Sequence, residues 1–294
     1  MGLVMNAQLR QHLLALQGTT RTAPGIENGF GVLPAVLPLG IAAIDTMLGG
    51  GLMRGALHEI AAPAEAHSAA ATGFALGIAA SWPGLSQPST SCLLTLPEVV
   101  DARHKVYARA GWRPDPGAGH DGRRIVWIAE EMARAESGAP HGAGLDAFGL
   151  APERLLTVTV SHRRDLLWGM EEALRCRAVN VVIGEMRPGK IDEIAVRRLS
   201  LAAGEGGALA LLLRAAPAAD SSTAATRWIV GTASSVIAHG PGAPRIAAHL
   251  VRNRRGPTGS WILEWSDSDE RFVLATHAQP VAAPAFDRPH RQVA

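Results

Sequence analysis

The feature that most constrains the fold is an alternation of short apolar segments with amphipathic ones between residues 125 and 213. Strand-like segments at 125–129, 155–160, 179–184 and 208–213 alternate with helical patterns near 143–149, at 165–176 and at 191–203. Apolar strands separated by helices are typical of parallel strands in a sheet that is covered on both faces. The sequence therefore predicts an α/β fold with a mostly parallel sheet.

After residue 226 the pattern changes to strands without intervening helices. Segments 227–230, 245–251 and 260–265 are strand-like, and the last two are joined by Arg252-Asn253-Arg254-Arg255-Gly256-Pro257-Thr258-Gly259. Gly, Pro and Asn favour a turn in this connector. The pattern predicts an antiparallel β-hairpin that extends the sheet.

The remaining segments define the domain organisation. Apolar residues at 9, 13 and 16 predict an amphipathic helix over 5–17, which either docks on a partner or packs on its own domain. Residues 83–122 are rich in Pro and Gly and predict an insertion with a helix at 98–110. We expect an N-terminal helix and linker at 1–35, a main domain at 36–276 and a disordered tail at 277–294.

Composition excludes some classes of protein. The chain is 47% hydrophobic, but its longest apolar run, Ala208–Leu213, is far below the roughly 18 residues of a membrane helix. The N-terminus lacks a basic region followed by an apolar stretch, and the only cysteines, Cys92 and Cys176, are far apart. We expect a cytoplasmic protein with two buried thiols. The net charge of +2 does not by itself indicate nucleic-acid binding.

A nucleotide-binding loop belongs between the predicted strand at 56–60 and the small-residue helix at 68–81. Such a loop requires Gly-x-x-x-x-Gly-Lys-Ser/Thr, because glycines let backbone N–H groups surround phosphates and the lysine balances their charge. Aligned without gaps, Ala62 and His67 replace the two glycines, Ser68 the lysine and Ala69 the Ser/Thr. An ordinary strand–helix turn remains an alternative. The sequence predicts no cofactor and makes ATP binding unfavourable.

The surroundings of this loop resemble the RecA family, a P-loop-type ATPase fold. The resemblance is carried by Leu39–Ile41, Ile44–Asp45 and Leu48–Gly55. It places Glu131 on the glutamate that activates water, Glu185 on the Walker B carboxylate that supports magnesium, and Arg214 on a polar sensor position. It implies a RecA-like core whose phosphate loop is degenerate.

The connector at 252–259 contains the densest group of cations, Arg252, Arg254 and Arg255. It resembles the segment by which RecA-like ATPases insert a cation into a neighbouring subunit's nucleotide site. Three uses remain open: binding nucleic-acid phosphates, contacting an intact RecA-type partner, or forming a solvated turn. Trp261 and Trp265 share one face of the following strand, which favours core packing over base stacking.

Several further segments together resemble the ImuA family, the small RecA-like proteins of bacterial damage-induced mutagenesis cassettes. They are Leu155–Leu156, Arg164–Arg175, Arg197–Ala208 and Asn253–Trp261, and the resemblance covers about residues 36–265 apart from the insertion.

That family implies a non-catalytic accessory to translesion DNA synthesis rather than an enzyme. The implied partners are ImuB, a polymerase-like protein, an error-prone replicative-type DNA polymerase, and RecA itself. Two other functions are retained as hypotheses: an active RecA-like ATPase with a rebuilt loop, and a single-stranded-DNA-binding module that uses the three arginines.

Overall fold

The computed structural model describes residues 10–11, 13–14, 36–82, 124–217, 222–234 and 244–275. In the first half of the chain the elements are β1 (Val36–Leu37), α1 (Ala42–Met47), β2 (Leu52–Met53), β3 (Leu57–Ala61), α2 (Ser68–Ala80), β4 (Ile125–Glu130), α3 (Glu131–Ser137) and α4 (Gly142–Asp146). They continue as β5 (Leu155–Val160), α5 (Arg163–Arg175), β6 (Val181–Met186), α6 (Glu193–Gly206), β7 (Leu209–Arg214), β8 (Thr226–Thr232), β9 (Arg245–Asn253), β10 (Gly259–Ser266) and β11 (Arg271–Leu274). Short 3-10 helices at Glu65–His67 and Pro152–Arg154 precede α2 and β5.

Nine of these strands form one sheet in the order β11-β10-β9-β8-β3-β7-β6-β4-β5. The strands from β8 to β5 are parallel to one another, whereas β9, β10 and β11 continue the sheet antiparallel. This confirms the predicted α/β class with a mostly parallel sheet and an antiparallel C-terminal extension. The extension has one more strand, β11, than the hairpin predicted from the sequence.

Helices cover both faces of the sheet, as the alternating pattern predicts. On one face α2 packs through Phe74 against a buried layer that includes Ile60 and Trp127. On the other face α5 and α6 pack against a layer that includes Val126 and Val182. Neighbouring residues of β4 thus belong to opposite layers, because successive side chains of a strand point to opposite faces.

The antiparallel extension closes over α2 through aromatic side chains. The ring centroids of Phe74 and Phe272 are 5.8 Å apart, and those of Trp265 and Phe272 are 5.0 Å apart. Gly77 permits this approach, since a Cβ at that position would lie 2.1 Å from Phe272 Cε2. Trp261 is 6.0 Å from Trp228, so both tryptophans of β10 contribute to packing, as the sequence favoured.

Of the predicted N-terminal helix, residues 10, 11, 13 and 14 are described and are helical, and Arg10 and Leu13 contact the main domain. Leu13 is 5% exposed, and its carbonyl accepts from Cys176 Sγ at 3.7 Å. Arg10 Nε is 3.0 Å from Glu172 Oε2 on α5. Of the two alternatives, packing on its own domain is therefore observed for Arg10 and Leu13 of this segment.

Most predicted elements agree with the structure within two or three residues, and one region differs. A single helix was expected near 143–149, but α3 begins directly after β4 and α4 ends at Asp146. Gly138, with a φ of 81°, ends α3 and separates the two short helices. The insertion at 83–122, its predicted helix at 98–110, Cys92 and the tail at 277–294 lie outside the described residues. Within the described chain, no helix is long and apolar enough to cross a membrane.

Candidate functional site

The degenerate loop lies at the carboxyl-terminal edge of the parallel strands, between β3 and α2, where the sequence predicts it. The buried Ala62 donates its N–H to Arg214 O at 3.0 Å, and His67 donates its N–H to Ala64 O at 2.9 Å. The only described non-glycine residue with a positive φ is Glu270. The loop therefore follows a path that needs no glycine, and two of its N–H groups are bonded within the protein.

His67, at the second glycine position, attaches this loop to the end of β8. Its Nδ1 accepts from the Thr232 N–H at 3.1 Å and lies 2.8 Å from Thr232 Oγ1. Gly231 allows the contact, since a Cβ there would come 3.1 Å from Pro63 Cγ and 3.5 Å from His67 Nδ1. An imidazole thus joins the loop to the end of β8 at the position where the motif requires its second glycine.

A small cleft remains beside the loop at the start of α2. Its polar lining consists of Glu65, Ser68, Thr72, Glu136, Ser137, Glu185, Arg187 and Arg214. Ser68 Oγ is buried and has no hydrogen-bond partner among the described residues, whereas Ala69 is exposed and offers no hydroxyl. The two cations are engaged, because Arg187 pairs with Glu136 at 2.7 Å and Arg214 donates to Gly189 O at 2.7 Å.

Glu185 belongs to this cleft, as the Walker B resemblance implies. Burial raises its pKa, which a hydrogen bond from Trp127 and the charge of Arg134 partly lower. Trp127 Nε1 donates to Glu185 Oε2 at 3.1 Å. Burial therefore disfavours the charged form of Glu185, and Glu65 adds a second acidic side chain to the lining of the cleft. No group of three or more His, Cys, Asp or Glu residues that could hold a metal occurs in the described ranges.

The two glutamates at the end of β4 have different surroundings. Glu130 is the last residue of β4 and is buried; its Oε1 is 3.1 Å from Arg163 Nε, and its Oε2 accepts from Arg187 N at 3.0 Å. Glu131, the residue assigned to water activation, is instead the first residue of α3 and accepts from Ser161 Oγ at 3.3 Å. Neither glutamate lines the cleft.

Arg163 is a site residue that the sequence analysis missed. Besides pairing with Glu130, it donates to the carbonyls of Arg187, Pro188 and Lys190 at 3.2, 3.2 and 3.3 Å and so holds the loop after β6. The local signal was its place in the first turn of α5, where a cation opposes the helix dipole, and Arg164 shares that signal.

The basic connector is not close to the degenerate loop. Asn253 at the end of β9 pairs with Thr226 at the start of β8, so the connector lies at the amino-terminal edge of the parallel strands. The five residues of β3 separate the two edges by about 17 Å. Within one chain, Arg252, Arg254 and Arg255 therefore do not reach Ala62–Ala69.

The connector is nonetheless ordered by contacts within the protein. Arg252 Nη1 and Arg254 Nη2 both donate to the Ser222 carbonyl, the second at 3.5 Å, and Arg255 Nη2 donates to Gly49 O at 3.4 Å. Ser222 is in turn held by Glu59 of β3, whose other carboxylate oxygen is 2.9 Å from Arg227 Nε. Glu59 is 1% exposed and is a second residue that sequence reasoning missed.

Comparisons with known proteins add one finding about the fold. A crystal structure of the RadB recombinase is similar to this chain, with a TM-score of 0.48 and 13% sequence identity. The alignment covers 81% of this chain and 98% of the RadB chain. No protein-family model matches the sequence, and no curated protein matches it.

Proposed function

We propose that this protein is a non-catalytic RecA-like accessory protein of DNA repair. It supports error-prone translesion DNA synthesis by binding other proteins. The proposed partners are an ImuB-like polymerase-fold protein, an error-prone replicative-type DNA polymerase and RecA. The sequence resemblance to the ImuA family suggests these partners, and the loop between β3 and α2 supports the non-catalytic role.

The observation that carries this proposal is the contact between His67 and Thr232. A phosphate loop needs open backbone N–H groups and a cation. Here the imidazole takes the place of a glycine, the N–H groups of Ala62 and His67 are bonded to carbonyls, and Ser68 replaces the lysine. The two arginines that line the remaining cleft are engaged within the protein, Arg187 by Glu136 and Arg214 by the Gly189 carbonyl.

Equilibrium binding of a fluorescent ATP analogue with Mg²⁺ tests the non-catalytic role. We expect no saturation by the native protein below about 1 mM, which corresponds to a binding free energy of only about −4 kcal/mol. The matched positive control carries Ala62→Gly, His67→Gly, Ser68→Lys and Ala69→Thr, which restores the complete motif. ATP turnover by the native protein above background, abolished by Glu131→Gln, would overturn the proposal in favour of an ATPase with a rebuilt loop.

Co-purification with an ImuB-like protein tests the partner. Two exposed apolar side chains lie seven residues apart on α6: Ile194 is 67% exposed and Leu201 is 57% exposed. Residues at this spacing share one helix face. We expect Ile194→Asp with Leu201→Asp to weaken association by about ten-fold or more, since apolar anchors dominate interfaces. Leu274→Asp, a like change at an exposed site on β11, is the control. No association by a natively folded protein would refute the partner assignment.

A further inference from the structure

Arginines line the amino-terminal edge of the sheet, the edge opposite the degenerate loop. They stand before β3, β4, β5 and β6 and at the end of β9: Arg54, Arg124, Arg154, Arg177, Arg252, Arg254 and Arg255. From β9 to β5 the sheet order has six intervals. At about 4.8 Å per interval, the row spans about 29 Å.

The row differs from the rest of the surface in how its charges are balanced. Arg177, Arg254 and Arg255 are exposed and Arg252 is partly exposed, whereas Arg124 is buried. Carboxylates near this edge are bonded within the protein: Glu205 pairs with Arg175 at 3.1 Å, Asp45 accepts the N–H groups of Leu39 and Gly40 at 2.8 and 3.0 Å, and the buried Glu59 pairs with Arg227. The arginines of the row outnumber these three carboxylates, so the edge presents net positive charge.

The densest part of the row is also held in place. Asn253 Nδ2 donates to Met47 O at 2.9 Å and to Pro257 O at 3.1 Å, and its Oδ1 accepts from Arg255 N at 3.0 Å. These bonds fix the turn from which Arg254 and Arg255 project. A guanidinium has five donors, so one hydrogen bond to a carbonyl orients it and leaves others for a ligand. Side chains ordered in advance lose less entropy on binding.

We propose that this amino-terminal edge binds the sugar–phosphate backbone of nucleic acid. Planar guanidinium groups bind phosphate through paired hydrogen bonds. An acidic protein partner would call for apolar anchors, and among the exposed large hydrophobic residues of the described chain only Val251 adjoins one of these arginines in sequence. Trp261 and Trp265 pack inside, so no stacking platform on β10 selects bases. Recognition is therefore through phosphates and independent of base sequence.

The test is fluorescence anisotropy with a labelled 30-base-pair duplex and an oligo(dT) strand, titrated with the full-length protein between 50 and 200 mM NaCl. We expect a Kd on the order of 1 µM at 50 mM NaCl and a steep fall in affinity with salt. Arg254→Ala with Arg255→Ala should weaken binding by about ten-fold or more and reduce the slope of log K against log salt by about two.

The control replaces two exposed arginines elsewhere, Arg164→Ala with Arg197→Ala, which removes the same charge from α5 and α6. It should retain most of the affinity. No binding at 50 mM NaCl, an equal loss in both variants, or equally tight binding of a poly-glutamate peptide would each overturn the proposal. This measurement does not depend on partner association. A lack of DNA binding would therefore leave the proposed accessory role unaffected, and a lack of partner association would leave the DNA-binding proposal unaffected.

Discussion

The buried His58 should make the stability of this protein fall steeply below neutral pH. His58 is 1% exposed; its Nδ1 is 2.7 Å from Thr226 Oγ1, and its Nε2 is 2.9 Å from Met53 O. The carbonyl of Met53 can only accept, so Nε2 carries the hydrogen and Nδ1 accepts from the hydroxyl of Thr226. Trp228 Nε1 donates to the same hydroxyl at 3.0 Å, which leaves its hydrogen for His58. Both ring nitrogens of a neutral imidazole therefore have hydrogen-bond partners in this network.

Burial lowers the pKa of His58 from 6.5 to about 4, and the hydrogen bond to Met53 opposes this only in part. The unfolded chain therefore binds a proton at a higher pH than the folded protein does. The stabilisation is fully present above the unfolded pKa and is lost as pH falls towards the folded pKa. Over that range the loss is about 3 kcal/mol, of which about 2 kcal/mol has occurred at pH 5.

Urea denaturation of the native protein and of His58→Gln, at pH 7.5 and at pH 5.0, measures this contribution. Other titrating groups, including the half-buried His249, are common to both proteins and cancel in the difference. We expect the stability advantage of the native protein to shrink by about 2 kcal/mol at the lower pH. An advantage that is the same at both pH values would refute the reasoning. Should the variant fail to fold, an NMR titration of His58 in the native protein reports the pKa directly, and a value near 6.5 would refute it equally.

Two further predictions concern packing and the buried ion pair. Gly77→Ala should destabilise the fold by about 1–3 kcal/mol in urea denaturation, because the new methyl overlaps the ring of Phe272; Gly144→Ala, which meets nothing within 4 Å, is the helical control and should not destabilise. Equal effects of the two changes would contradict the packing argument. Glu59→Gln should lower the free energy of unfolding by about 3–5 kcal/mol, because it removes the carboxylate that pairs with the guanidinium of Arg227. Adding Arg227→Met should recover part of that loss, and no recovery would indicate that the pair is not the cause.

The sequence predicted the sheet well because its strands are apolar and regularly spaced. β5 matches its expected bounds at Leu155 and Val160, and β7 is displaced by one residue. Local periodicity carries that information. It does not decide where a strand ends: β4 is predicted to end at residue 129, and it extends to Glu130. The hydrogen bonds of β4 to its neighbours, which are tertiary, decide the boundary.

The candidate site was less predictable because its contacts join distant parts of the chain. From the sequence, Glu59 is only a residue of the predicted strand that leads into the loop. Its partners, Ser222 and Arg227, lie 163 and 168 residues away in the sequence. The contact of His67 with Thr232 spans 165 residues. The motif alone locates residues 62–69 between β3 and α2. It could not predict the contact of His67 with Thr232 at the end of β8.

The closure of the loop by His67 also bears on how readily such a chain could acquire a phosphate site. His67→Gly alone removes the bond to Thr232 and adds backbone freedom, at a cost of about 0.5–1 kcal/mol for the freedom alone. Ser68→Lys alone places a cation at the start of α2, against the helix dipole. Each single step therefore lowers stability before any nucleotide is bound. Restoring the motif at these two positions would therefore cost stability before any phosphate contact could offset it.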